Sequence, residues 1–116
     1  MNLAIKNRIK EIGEKNIDLA KKMETKFYIG ELIISDGVRK LGYTSESISI
    51  HECLSRFING DFGDNIDSDD IKINNKYIET GYGSIMGIYC INGIKIWIRT
   101  DLFNKVTTTI LLPEEW

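Results

Sequence analysis

The dipeptide Asn92-Gly93 constrains this chain more than any other pair of residues, because it stands between the two apolar runs GSIMGIYCI and IKIWIRT. A two-residue hairpin loop of type I′ needs positive φ at both central positions, and Asn and Gly reach that region with little strain. Loop length then fixes register. Ile91 falls opposite Ile94, Tyr89 opposite Ile96, Gly87 opposite Ile98 and Ile85 opposite Thr100. One face carries Ile85, Tyr89, Ile91, Ile94, Ile96 and Ile98 and is the expected core face. The other pairs Ile88 with Trp97, Cys90 with Lys95 and Met86 with Arg99. That second face is amphipathic, which predicts partial cover. After a loop at 101–105, Val106–Leu112 reads as a β-branched strand, ended by Pro113, which has no N–H to donate.

The other elements follow from local signals. Phe27–Ile34 alternates as a strand, with Phe27, Ile29 and Ile33 on one face and Tyr28, Leu32 and Ile34 on the other. Ser35 is placed to cap a short helix, Asp36–Leu41, stopped by Gly42. Ser49 and Glu52 have capping-box spacing and predict a helix over 50–59, with Ile50, Cys53, Leu54, Phe57 and Ile58 inward. Asp67 or Ser68 caps a helix over 69–80, whose inward side is Ile71, Asn74, Tyr77 and Ile78.

Residues 3–25 read as one helix, or as two divided at Gly13 and Asn16. Written as heptads, Ile9, Asn16 and Met23 occupy a positions, and Ile5, Ile12 and Leu19 occupy d positions. A buried Asn at a selects a parallel dimer. The stripe is therefore either a homodimer seam or a face packed on the chain's own sheet, near Trp97 and Ile88. The expected fold class is α+β. An antiparallel sheet of about four strands (hairpin 84–91/94–100, strand 106–112, strand 27–34) packs with helices 3–25, 50–59 and 69–80. We expect one domain over 1–116, with 1–26 a helical extension of a 27–116 core.

Composition excludes several classes of function. A net charge of -2 argues against a broad basic field for nucleic acid and against a wholesale DNA mimic. The spacing of Cys53 and Cys90 fits neither a metal motif nor a CxxC redox motif. No apolar run approaches the ~20 residues of a membrane-spanning helix, and no secretory leader is visible, so a cytoplasmic protein is expected.

The chain shows no nucleophile–base pair, metal cluster or phosphate loop, so a non-catalytic protein without cofactor or metal is expected. The single histidine, His51, has no nameable partner. The stretch GDFGDNIDSDD is the most acidic. Its DFG triplet lacks every other kinase motif. Its spacing is wrong for an EF-hand, and one loop alone does not make a two-metal nuclease. Two readings remain. In one, Gly60 and Gly63 make turns, Asp67 caps the next helix, and Asp69 and Asp70 favour its dipole. In the other, Asp61, Asp64, Asp67, Asp69 and Asp70 dock a basic partner surface. The tail Glu114-Glu115-Trp116 offers a second anchor, unless Trp116 packs back on the sheet. A rival partner is nucleic acid. Lys6, Arg8, Lys10, Lys15, Lys21, Lys22 and Lys26 outnumber Glu11, Glu14, Asp18 and Glu24 in the first helical segment.

Taken together, GDFGD, Asp70, Asn74, Gly83, KIWI, Thr100 and TTILLPEEW resemble a family of small proteins encoded on bacterial plasmids, integrative elements and phages. Its members show a GDWGD-like turn, an acidic helix with D…N spacing, a WIIT strand and a TTILLPEEY tail. The resemblance covers Phe27 to Trp116. It implies a mobile-element setting rather than an activity. Phe57 stands where such proteins often carry His, and 101–105 lacks the arginine that usually follows the WIIT strand. Helix 1–26 looks added to the shared core, as suits a binder of one particular target. The target class this setting implies is a bacterial defence nuclease, such as a CRISPR effector or a restriction enzyme.

Overall fold

The structure is a computed structural model and describes residues 25–116. Residues 3–24 of the expected helix, with the seam of Ile5, Ile9, Ile12, Asn16, Leu19 and Met23 and every expected basic residue before Lys26, lie outside the described residues; Thr25 and Lys26 lie in a bend, where Lys26 N donates to the Ile58 carbonyl at 2.9 Å.

The hairpin forms as its turn dictates. β2 (Gly83–Ile91) and β3 (Ile94–Leu102) are antiparallel in the expected register, from Ile91 opposite Ile94 to Ile85 opposite Thr100. Asn92 and Gly93 both take positive φ, 51° and 79°. β4 (Val106–Leu111) adds to β3 antiparallel, Trp97 opposite Leu111 and Leu102 opposite Val106. A 3₁₀ turn, Pro113–Glu115, follows it.

β1 departs from expectation in length and direction. Only Glu31–Ile34 joins the sheet, and it runs parallel to β4, Ile34 opposite Ile110. The order is β1-β4-β3-β2, a mixed sheet that is mostly antiparallel. The expected strand 27–34 is cut short at Gly30. Its φ is +64°, and its backbone lies so close to Val106 that a side-chain carbon would overlap the Val106 carbonyl. Phe27 instead leaves the sheet plane and buries its ring edge-on against Phe57, centroids 4.9 Å apart. Two threonines tie this segment down. Thr108 Oγ1 donates to the Ile29 carbonyl at 2.7 Å and accepts from Thr100 Oγ1 at 2.6 Å. Both hydroxyls are fully buried, so their pairing removes a desolvation cost.

Among the described residues three helices complete the α+β fold. α1 (Asp36–Lys40) is capped by Ser35, whose hydroxyl accepts from Val38 N. α2 spans Ile48–Ile58, two residues earlier than the Ser49/Glu52 spacing predicts, with Ser47 in the cap position. The Ser47 hydroxyl accepts from Thr44 N at 2.9 Å, so an upstream turn fixes the helix start. α3 (Ser68–Thr80) is capped by Asp67. Ile50, Cys53, Leu54 and Phe57 of α2 join Ile85, Tyr89, Ile91, Ile96, Ile98 and Ile110 in one core. Ile94, beside the turn, is 36% exposed and lies outside that core. Among the described residues no helix is long and apolar enough to cross a membrane.

Candidate functional site

The acidic turn is built into the margin of the sheet. Ile88 N donates to the Phe62 carbonyl at 2.9 Å, and Gly63 forms a parallel bridge with Ile88. That approach requires glycine. Gly63 has φ +107°, and any side-chain carbon would overlap the Ile88 carbonyl. Phe62 is buried and meets Phe57 edge-on at 6.1 Å. The GDFGD motif thus continues the sheet beyond β2 for a short distance. Further along the same strand, Asn74 of α3 takes over. Its amide donates to the Met86 carbonyl at 2.7 Å and its carbonyl accepts from Met86 N at 3.0 Å. One buried side chain thereby imitates a neighbouring strand. Unpaired strand edges recruit other chains, and here the β2 edge is closed.

Two of the five aspartates are held by Arg56. Arg56 of α2 donates to Asp61 at 2.6 and 3.2 Å and to Asp64 at 2.8 Å. Its guanidinium also lies over the Tyr89 ring, 5.1 Å from the centroid. Asp61 further accepts from Gly63 N at 3.1 Å, while its carbonyl accepts from the Tyr89 hydroxyl at 2.6 Å. The Arg56 bond holds the Asp61 carboxyl below the usual carboxylate range. The same two carboxylates push Arg56 further up, and burial pushes the Tyr89 hydroxyl up. Arg56 was not among the expected site residues. Its signal in the sequence is only a cation five and eight positions before the two carboxylates. Asp67 caps α3, accepting from Asp69 N at 2.9 Å, as the dipole reading expects. Asp69 is exposed and Asp70 half-buried in the first turn of α3.

The tail divides likewise. Glu115 is a clasp. Oε1 accepts from Leu112 N at 2.8 Å and from Ser35 Oγ at 2.7 Å, while Oε2 accepts from Gly37 N at 3.0 Å. These donors hold its carboxyl below the ordinary value, with the Leu112 bond the largest cause. Glu114 is exposed and has no partner among the described residues. Trp116 packs back on the amphipathic sheet face, edge-on to Trp97 at 5.1 Å and under the Arg99 guanidinium at 4.8 Å. It nevertheless stays 51% exposed. Arg99 is steadied by Asp101 at 3.2 Å, and Asp101 by Ser84 at 2.7 Å. Trp97 Nε1 is buried with no acceptor among the described residues.

The expected docking residues therefore fall on two margins of the sheet. Asp61 and Asp64 are fastened along β2, and Glu115 is fastened to the segment after β1, at the other end of the order β1-β4-β3-β2. The outward-facing remainder is Asp67, Asp69 and Asp70 on one side and Glu114 and Trp116 on the other. His51 is tied to the Ser45 carbonyl through Nε2 at 2.7 Å. Cys53 is buried, which raises its thiol pKa, and Cys90 is exposed; both are free thiols. Among the described residues no group of three His, Cys, Asp or Glu side chains is placed to hold a metal ion.

No protein-family model, curated protein or solved structure matches the chain significantly. The mobile-element resemblance rests on the motif residues alone. Most of those now have architectural roles: GDFGD and Asn74 close an edge, Thr100 anchors Thr108, and Glu115 clasps the tail.

Proposed function

We propose that this is a non-catalytic binding protein of a phage or plasmid that docks on and inhibits a bacterial defence nuclease in the host cytoplasm. A CRISPR effector or a restriction enzyme is the target class. The observation that carries the reading is Trp116. Trp116 is half-exposed, yet it is held in place by Trp97, Arg99 and the neighbouring Glu115 clasp. Tryptophan and arginine are the residue types that dominate binding energy at interfaces, and a preorganised anchor loses little entropy on docking. Glu114 beside it, and Asp67, Asp69 and Asp70 on α3, supply negative charge complementary to the basic channel in which a nuclease holds nucleic acid. Asp61 and Asp64 act indirectly, by holding the turn that presents α3.

The test is co-elution of the full chain with purified effector complexes and restriction enzymes, with nuclease activity measured on the same mixtures. Binding and inhibition are expected for at least one class. Trp116→Ala should weaken that binding by about thirtyfold or more, the scale of an interface hot spot. No co-elution and undiminished cleavage across the whole panel would end the proposal. Light scattering on the full chain tests the homodimer through 3–25 separately.

A further inference from the structure

The two margins of the sheet are treated differently. The β2 edge is covered by Gly63 and Asn74, whereas among the described residues no strand lies outside β1. Ser35 N donates to the Ile110 carbonyl at 2.9 Å while Ile34 is the register partner of Ile110. In a parallel pair, successive residues turn their backbone groups alternately toward and away from the neighbour. Glu31 and Ile33 therefore face β4, and the N–H and C=O groups of Leu32 and Ile34 point outward. Among the described residues nothing pairs with these outward groups. β1 is blunted only by its four-residue length and by Glu31, and it carries no proline or bulge.

A groove of about 420 Å³ runs beside this edge, lined by Leu32, Ile34, Arg39, Gly42, Tyr43 and Thr44 among others. Its far wall is firm. The Tyr43 hydroxyl accepts from Asn92 Nδ2 at 3.1 Å, which ties it to the hairpin turn, and Thr44 is held in a turn with Ser47. Arg39 is exposed, at the end of α1, and no carboxylate pairs with it among the described residues. Among the described residues the groove thus combines aliphatic walls, a guanidinium with no carboxylate partner and the outward backbone groups of Leu32 and of Ile34, a residue only 6% exposed.

We propose that the outer edge of β1 takes up an extended peptide of a partner protein as a fifth strand, with an acidic side chain of that peptide on Arg39. Side chains of an added strand alternate, so two positions separated by one residue share the groove side. The peptide is expected to place an apolar residue against Leu32 and Ile34 and a carboxylate two positions away. A second copy of this chain fits less well. Its own β1 would present Leu32 and Ile34 on that side, while Glu31 lies on the opposite face and is paired with Lys105 at 2.6 Å.

The experiment uses the full ¹⁵N-labelled chain and two blocked peptides, Ac-Thr-Ile-Thr-Glu-Thr-Val-NH₂ and the same sequence with Lys in place of Glu. The Glu peptide should protect the Leu32 and Ile34 amides from hydrogen exchange. It should bind about tenfold tighter than the Lys peptide, the scale of one charge-assisted pair. Arg39→Gln, at an exposed position, should erase that preference while its amide spectrum stays dispersed. The proposal fails if neither peptide protects those two amides, or if the Glu preference survives in Arg39→Gln. Protection that grows with protein concentration and no peptide would make a second copy the occupant and would equally overturn it.

Discussion

Replacing Glu115 with alanine tests whether the tail is a built element or a loose end. The wild-type carboxylate receives three hydrogen bonds, from Leu112 N, Ser35 Oγ and Gly37 N. A sheltered hydrogen bond to a charged acceptor is worth ~1.5–3 kcal/mol, but this carboxylate stands in solvent, and discounting each bond to ~0.5 kcal/mol gives roughly 1.5 kcal/mol in all. For a domain of this size that is about 6 °C in Tm. The sign with pH follows from the depressed carboxyl. The contribution is complete above the unfolded glutamate value of about 4.3 and is lost as pH falls through the lower folded value. Melts followed by circular dichroism should therefore separate Glu115→Ala from wild type at pH 7 and bring them together in strong acid. Tryptophan emission should shift to the red at pH 7, because Trp116 leaves Trp97 and Arg99. Equal Tm values at pH 7, or a gap that persists undiminished in acid, would refute the clasp.

Gly63→Ala should be among the most disruptive single changes. The clash with the Ile88 carbonyl and the positive φ together predict a loss above about 3 kcal/mol, seen as insoluble expression or a collapsed amide spectrum. Asn74→Leu keeps the volume but leaves Met86 N–H and C=O without partners, costing about 2–4 kcal/mol in urea unfolding, with concentration-dependent aggregation through the opened β2 edge. Thr108→Val should cost about 2 kcal/mol, because both the Ile29 carbonyl and the Thr100 hydroxyl lose a partner. Thr100→Val leaves the Ile29 bond intact and should cost less by the same measurement.

The sheet was legible because its determinants are local. Asn92-Gly93 sets a register over nine paired positions without help from the rest of the chain. The caps at Ser35 and Asp67 are likewise read from neighbours two or three residues away. The helix start at Ile48 was displaced because the capping-box spacing at Ser49 competes with an equally local turn at Thr44–Ser47 that it does not reveal. What the chain hid was every contact between distant segments. Alternation predicts that residues near 27–34 form a strand, but not that Gly30 must pass close to Val106, nor that β1 runs parallel to β4. Glu115 looked like a docking charge because two of its three donors, Gly37 N and Ser35 Oγ, lie 78 and 80 residues away. Asp61 and Asp64 looked free because nothing in GDFGD marks Arg56 as their partner. Side-chain-to-backbone closures of this kind leave no period or spacing behind.

The pairing of β1 with β4 also sets a timetable. At roughly 5–20 residues per second of synthesis, Ser35 exists for about 4–16 s before the Glu115 that will hold it is made. During that interval β1 has neither a neighbour in the sheet nor a clasp. Its ELII sequence is a strand-forming segment waiting on a ribosome-bound chain. The hairpin, whose partners are close in sequence, is assembled first and becomes the template for β4, on which β1 finally docks. A nascent chain stalled before Thr107 should therefore remain captured by cellular chaperones, and release should track the appearance of β4 rather than of any helix.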